Sequence, residues 1–290
     1  MRQFLFSFAS LLAITGPAMA ETDLPTCAVT PEDVTETVLS EAQLLDLIDC
    51  LGSPDPKLRD EMAYTRLTDQ LRDHRPETET LNTLKDRLIA LSQQEDDAGF
   101  LQPFVLLILA EIIRTDTIDA WLTPEDRERI TLIGADYLTN TEDYRAFSET
   151  EGWRHGIAHA ADLLMQISRN GGIGMVEAII IMEAVSTKVA PLGAPAYTHG
   201  EAERLARPIL YLAQREMLTE TIWSDYFARL QPNREESPHW DDPYAHEDTL
   251  AALHNTTAFA RAVYVTADMS EYESLEPLKL GADMLLRFLP

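Results

Sequence analysis

GFLQPFVLLILAEIIR (residues 99–114) decides the fold. It is apolar nearly all round a helix, which marks a central helix buried among others rather than a membrane span. A helix with no wet side needs helical neighbours on every side, and the flanking sequence supplies them. SPDPKLRDEMAYTRLTDQLR (53–72) opens with Ser53 as N-cap and prolines in the first turn, then spaces Leu58, Met62, Leu67 and Leu71 on one side. ETLNTLKDRLIALSQQ (79–94) repeats the pattern with Leu81, Leu84, Leu88 and Leu91. TPEDRERITLIGADYL (123–138) is capped by Thr123, with Pro124 at the first helical position and acids following.

Further helices are expected at about 153–169, 173–189, 200–217, 220–230, 247–266 and 272–289. Strand signals hardly occur. The fold class is therefore all-α: stacked antiparallel helical hairpins, a degenerate α-solenoid or α-α superhelix. No fixed-period repeat is visible, which excludes a strict tetratricopeptide or ankyrin array. QPNREESPHWDDPYAHED (231–248) is the one long irregular stretch, and no Gly/Ser linker divides the chain, so residues 21–290 read as a single domain.

Residues 1–20 have the grammar of a secretory signal. Arg2 is the positive start, FLFSFASLLAIT the apolar region and AMA the small-x-small end, so cleavage after Ala20 and a periplasmic or secreted location are expected. The apolar run is about a dozen residues, short of the roughly 20 that span a bilayer. Export makes Cys27 and Cys50 candidates for a disulfide. One unbroken helix from Pro31 to Leu51 would hold them about 30 Å apart. But SEAQ (40–43) is a capping box that starts a new helix, and two antiparallel helices at 31–38 and 41–51 would bring the cysteines to one end. A bridge is expected; two separate thiols are the alternative.

The chain carries 49 acidic against 23 basic residues, a formal net charge of −26. Nucleic acid and anionic membrane surfaces are excluded as partners, because both are held by basic patches. A strongly solvated surface accounts for the charge.

EGWRHGIAHAADLLMQISRN (151–170) is the stretch that bears on chemistry. At 100° per residue His155, His159, Asp162, Gln166 and Arg169 fall within a stripe about 80° wide, with Trp153, Ile157, Leu164 and Ile167 on the opposite, core side. Helical periodicity alone explains a polar face. Solvated faces, however, are usually filled by Lys, Glu and Arg, and Gly156, Ala158, Ala160 and Ala161 suit close helix neighbours. Three readings follow: a buried or groove-lining polar network, a plain wet face, or a metal site. Histidines at i and i+4 can reach one zinc or other divalent ion, with Asp162 as an oxygen ligand. The intervening GIA lacks the general-base glutamate of H-E-x-x-H enzymes, and further ligands would have to come from His199, Glu201, Glu203 or His254. No metal and no other cofactor is assigned. GGIGMVEA (171–178) lacks a preceding strand and a correctly spaced third glycine, so it is a helix break; no P-loop or G-x-S-x-G elbow occurs.

CLGSPDPKLRDEMAYTRL (50–67), EGWRHGIAHAADLL (151–164), THGEAERLARPIL (198–210) and LHNTTAFARAVY (253–264) occur in an order that resembles the DUF2785 family, bacterial proteins of unknown function. The resemblance covers about residues 40–266, with the Gly-Trp-x-His-x-x-x-His-x-x-Asp segment its most specific part. It implies a helical, repeat-like domain and no particular reaction. The leader and the two cysteines depart from it. The family pattern has acidic residues before Glu203 and Arg204, where this chain has THGEAER, so His199 is not carried over as a site residue. The candidate site is therefore His155, His159 and Asp162 with Trp153, Glu203 and Arg204. The expected function is an exported scaffold that binds a protein, peptide or glycan of the cell envelope; a metal-dependent hydrolase using the same residues is the alternative.

Overall fold

The computed structural model describes residues 27–30, 35–233 and 235–290. Among them the regular elements are helices apart from one short hairpin. Helix α1 (Glu41–Asp49) is followed by a π-helix (Lys57–Tyr64) that runs into α2 (Thr65–Asp73), then α3 (Thr78–Leu91), α4 (Leu101–Ile118) and α5 (Pro124–Asn140). Strands β1 (Phe147–Ser148) and β2 (Gly152–Trp153) pair antiparallel, Phe147 opposite Trp153, and lead into α6 (Gly156–Arg169). The rest is α7 (Met175–Val189), α8 (Glu201–Ala213), α9 (Glu220–Arg229), α10 (Glu247–Asp268) and α11 (Glu276–Phe288).

The elements form for local reasons. Ser40 and Gln43 make the capping box of α1, and Thr123 and Asp126 that of α5, with Pro124 in the first turn. Helix α4 buries Leu101, Phe104, Leu109, Ile112 and Ile113, as an all-round apolar helix must. Alternate helices then pack side by side: α4 on α6, α6 on α8 and α8 on α10, with α5 on α7. Helix α6 thus lies between α4 and α8 with almost every residue buried. Its small residues permit this, since a Cβ at Gly156 would collide with the Tyr137 hydroxyl of α5.

No helix among the described residues is long and apolar enough to cross a membrane. The signal segment expected at residues 1–20 lies outside the described residues. Cys27 and Cys50 form a disulfide, and Cys50, at the end of α1, is fully buried.

Four expectations need correction. No helix covers 35–38, which is a series of bends, while 31–34 lies outside the described residues. The disulfide therefore joins a segment, 27–30, that has no regular secondary structure to the end of α1. Ser53 does not cap the next helix; its Oγ accepts from Asp55 N–H at 3.2 Å, and helical winding starts at Lys57. The helix bearing the histidines starts at Gly156 instead of 153, because β2 occupies 152–153. The long stretch at 231–248 is not wholly irregular: two 3-10 turns, Pro238–Asp241 and Pro243–Ala245, bury Trp240 and Pro243.

Candidate functional site

The hairpin sets the start of α6. Arg154 N–H donates to Ala146 O at 2.8 Å and His155 N–H to Arg145 O at 3.2 Å, carrying the strand pairing beyond Trp153. The chain then turns sharply at His155, which sits at φ 51° and ψ 37°, the left-handed region that L side chains avoid. One turn there converts strand into helix and aims the imidazole along α6. Arg59 and Arg154 brace the turn: their guanidinium carbons lie 4.2 and 4.1 Å from the Phe100 ring centroid. Arg154 Nε also donates to Ala98 O at 2.8 Å.

The polar stripe of α6 is buried. His155 is 7 % exposed, His159 8 % and Asp162 7 %. The imidazoles of His155 and His159 meet edge to face, centroids 5.7 Å apart, and the Phe104 ring of α4 stands edge-on to His159 at 5.1 Å. From α8, Glu201 brings Oε1 to 3.7 Å from His155 Nε2, while its Oε2 accepts the His199 backbone N–H at 2.8 Å. His155 Nε2 and His159 Nδ1 are buried with no hydrogen-bond partner. Asp162, the third member, accepts from Arg204 Nη1 and has Arg207 Nη1 at 3.6 Å, both from α8.

Burial governs the charges. It pushes the His155 imidazole down to about 4, against the pull of the Glu201 carboxylate, with Arg204 adding to the depression. It pushes His159 down to about 3, helped by His155 and Arg204. Both rings are therefore neutral at pH 7, each with one N–H and one lone pair. Burial also raises the Asp162 carboxyl, the two arginines opposing the shift. The same physics extends the network sideways. Arg72 Nε donates to buried Glu111 at 2.9 Å, and burial beside Glu111 pushes the Tyr64 hydroxyl up.

Trp153 is not where a helical phase puts it. It lies on β2, 37 % exposed, its indole stacked on His155 with centroids 4.7 Å apart and planes 26° apart. Phe147, also exposed, lies 5.0 Å from it, and His199 stands edge-on at 6.0 Å. The result is an open aromatic surface over the neutral, under-bonded His155, with His159 next to it along α6.

The remaining candidates separate. Arg204 joins the row, as does Glu201. Glu203 is exposed on α8 and does not reach it. His199 is half exposed, its Nδ1 3.2 Å from Thr198 Oγ1. His254 is elsewhere, its Nε2 at 3.1 Å from Tyr197 O. Among the described residues no three His, Cys, Asp or Glu side chains come together in a way that could hold a metal ion. Sequence reasoning missed Arg207, Glu111, Arg72 and Tyr64. Glu111 alone carried a signal, as the one acid inside the apolar stretch 99–114.

No curated protein and no solved structure matches the chain. The family model DUF2785, described as a protein of unknown function, matches residues 88–265, which spans α4 to α9 and most of α10. The match is narrower at its N-terminal end than the resemblance from residue 40, yet it holds every residue of the histidine row. More than half of the chain is covered, and the protein belongs to the DUF2785 family.

Proposed function

We propose that the protein is an exported helical scaffold that binds a protein, peptide or glycan of the cell envelope at the face formed by Trp153, His155, His159 and Asp162. One observation carries the reading: two buried imidazole nitrogens lack partners, and the first of the two rings, His155, lies directly beneath the exposed Trp153 indole. Native proteins seldom leave buried polar atoms unpaired, and those that remain call for a reason such as a ligand. A left-handed His155 at the same point is a second departure of the kind that clusters at ligand sites. Glycans and peptides fit, because their hydroxyl and amide groups can meet an imidazole while their flatter faces cover Trp153. The leader-like residues 1–20 and the disulfide support the envelope as the setting. Alternate helices packing in a row support a degenerate two-layer solenoid.

The test is to probe glycan and peptide arrays with the mature chain and with Trp153→Ala and His155→Ala. Binding by the wild type that both variants lose, with unchanged far-UV circular dichroism, is the expected result. No binding, or binding that both variants keep, rejects the site. Elemental analysis of the protein purified without added metal provides a separate check: about one transition-metal ion per chain would replace this reading with the hydrolase.

A further inference from the structure

Far from the histidine row, a groove of about 540 Å³ runs between the end of α8, α9 and α11. Its apolar lining is Leu218, Trp223, Leu280 and Met284. Leu280 is 61 % exposed, which is unusual for a leucine beside a cleft, and no other described residue covers it. The walls are closely packed. Gly281 of α11 lies so close to the Phe227 ring of α9 that a Cβ there would overlap it. The groove is thus preformed, and its volume lies within the roughly 300–1,000 Å³ of clefts that hold ligands.

The rim is acidic. Glu216, Glu220, Glu273 and Glu276 border the groove, and all four are exposed. Among the described residues no lysine or arginine lines it. Lys279 of α11 pairs mainly with Asp268 at 2.9 Å, with Glu276 farther off at 4.0 Å. Glu216 is held in the left-handed region, at φ 55°, at the turn that closes one end. An apolar floor between two helices, ringed by carboxylates, matches an apolar stripe flanked by lysine or arginine, the complement an amphipathic cationic helix presents. A second copy of this chain would bring the same four glutamates against its own, so like charge disfavours it.

We propose that the groove between α9 and α11 is a docking site for an amphipathic cationic helix of a partner protein, separate from the face bearing Trp153. The probe is a fluorescent peptide of about 18 residues with leucines on one face and lysines on the other, long enough to hold a helix. Its binding to the mature chain is read by anisotropy at physiological salt. Leu280→Asp is the decisive variant, because it removes apolar contact yet adds a negative charge. Docking in the groove predicts that it weakens binding about tenfold or more, as loss of a central apolar anchor does. Glu216→Gln with Glu276→Gln should weaken binding severalfold and flatten its salt dependence, and Phe147→Ala should change nothing. Undiminished binding by Leu280→Asp would reduce the effect to general attraction by an acidic surface and overturn the proposal. So would equal affinity for an all-serine polar face, absence of wild-type binding, or a wild-type dimer in sedimentation that Leu280→Asp dissolves.

Discussion

The Trp153 indole lies on the His155 imidazole, centroids 4.7 Å apart, although the two residues would point to different sides of any helix that held both. The hairpin and the left-handed turn at His155 bring them together. Trp153 comes from the strand side of that turn and covers the first residue of the row, while His159 and Asp162 follow along α6. The aromatic surface and the buried polar row are therefore one unit, joined by backbone geometry.

Trp153→Ala should cost little stability, about 1 kcal/mol, because the ring is more than a third exposed and leaves no closed cavity. Urea unfolding measures it. A loss of about 3–5 kcal/mol, typical of a core aromatic, would place Trp153 in the interior and dismantle the proposed site.

Periodicity made the all-α class legible, along with the buried α4, the caps of α1 and α5 and the helix break at Gly171 and Gly172, because these depend on residues within a few positions of one another. The pairing of Cys27 with Cys50 was legible from their number and the expected compartment, but its backbone route was not. Trp153 was misplaced because a 100° repeat can be extended backward past a helix start without any local sign of error. Gly152 and the left-handed His155 end that repeat, and only the glycine is a recognisable mark. Arg72 and Glu111, or Asp162 and Arg204, meet across some 40 residues of chain. Such pairings come from helix packing, on which spacing along one helix is silent.

Acid should destabilise the protein before most carboxylates titrate. His155 and His159 are pushed down in the folded state to about 4 and about 3 from the ordinary 6.5, so below pH 6.5 the unfolded chain takes up protons that the folded chain refuses. Their contribution is complete above about pH 6.5 and is lost as pH falls toward the folded values, at up to about 1.4 kcal/mol per pH unit for each ring. Urea midpoints between pH 7 and 5 should fall with acidification. The slope should flatten in His155→Gln/His159→Gln; an identical slope in that variant would mean that the imidazoles are not buried neutral groups.

Asp162→Ala should destabilise by about 1–3 kcal/mol, since Arg204 and Arg207 would lose the buried carboxylate between them but are partly exposed and stay hydrated. Asp162→Asn keeps the shape without the charge and should cost less. If chemical denaturation ranks the two equally, the charge contributes nothing and the contact is packing alone.

Reduction of Cys27–Cys50 should lower stability by about 3 kcal/mol, the chain-entropy value for a closed loop of this size; the cysteines lie 23 positions apart. Non-reduced peptide mapping should find the bridge in periplasmic material, and a Cys27→Ser/Cys50→Ser variant should match the reduced protein. Quantitative labelling of both thiols in native material would refute the pairing.

Arg59 should prove irreplaceable by lysine. Its side chain is wholly buried, with Nη1 donating to Ser53 O at 2.9 Å, Nη2 to Glu151 O at 2.7 Å and Nε to Asp60 Oδ1 at 2.7 Å. The guanidinium is stacked on Phe100 as well. A single ammonium cannot reach three acceptors in different directions or lie flat on a ring, so Arg59→Lys should strand at least one buried carbonyl and cost about 2–4 kcal/mol. The effect should reach the face bearing Trp153. Asp60, which Arg59 holds, also accepts from the Trp153 backbone N–H, and Glu151 lies on the turn of the same hairpin. Near-UV circular dichroism of Arg59→Lys should accordingly show an altered tryptophan environment, and any ligand found for the Trp153 face should bind it more weakly. A variant as stable as the wild type with an unchanged aromatic spectrum would show that the hairpin is held by its own strand pairing, with Arg59 contributing packing only.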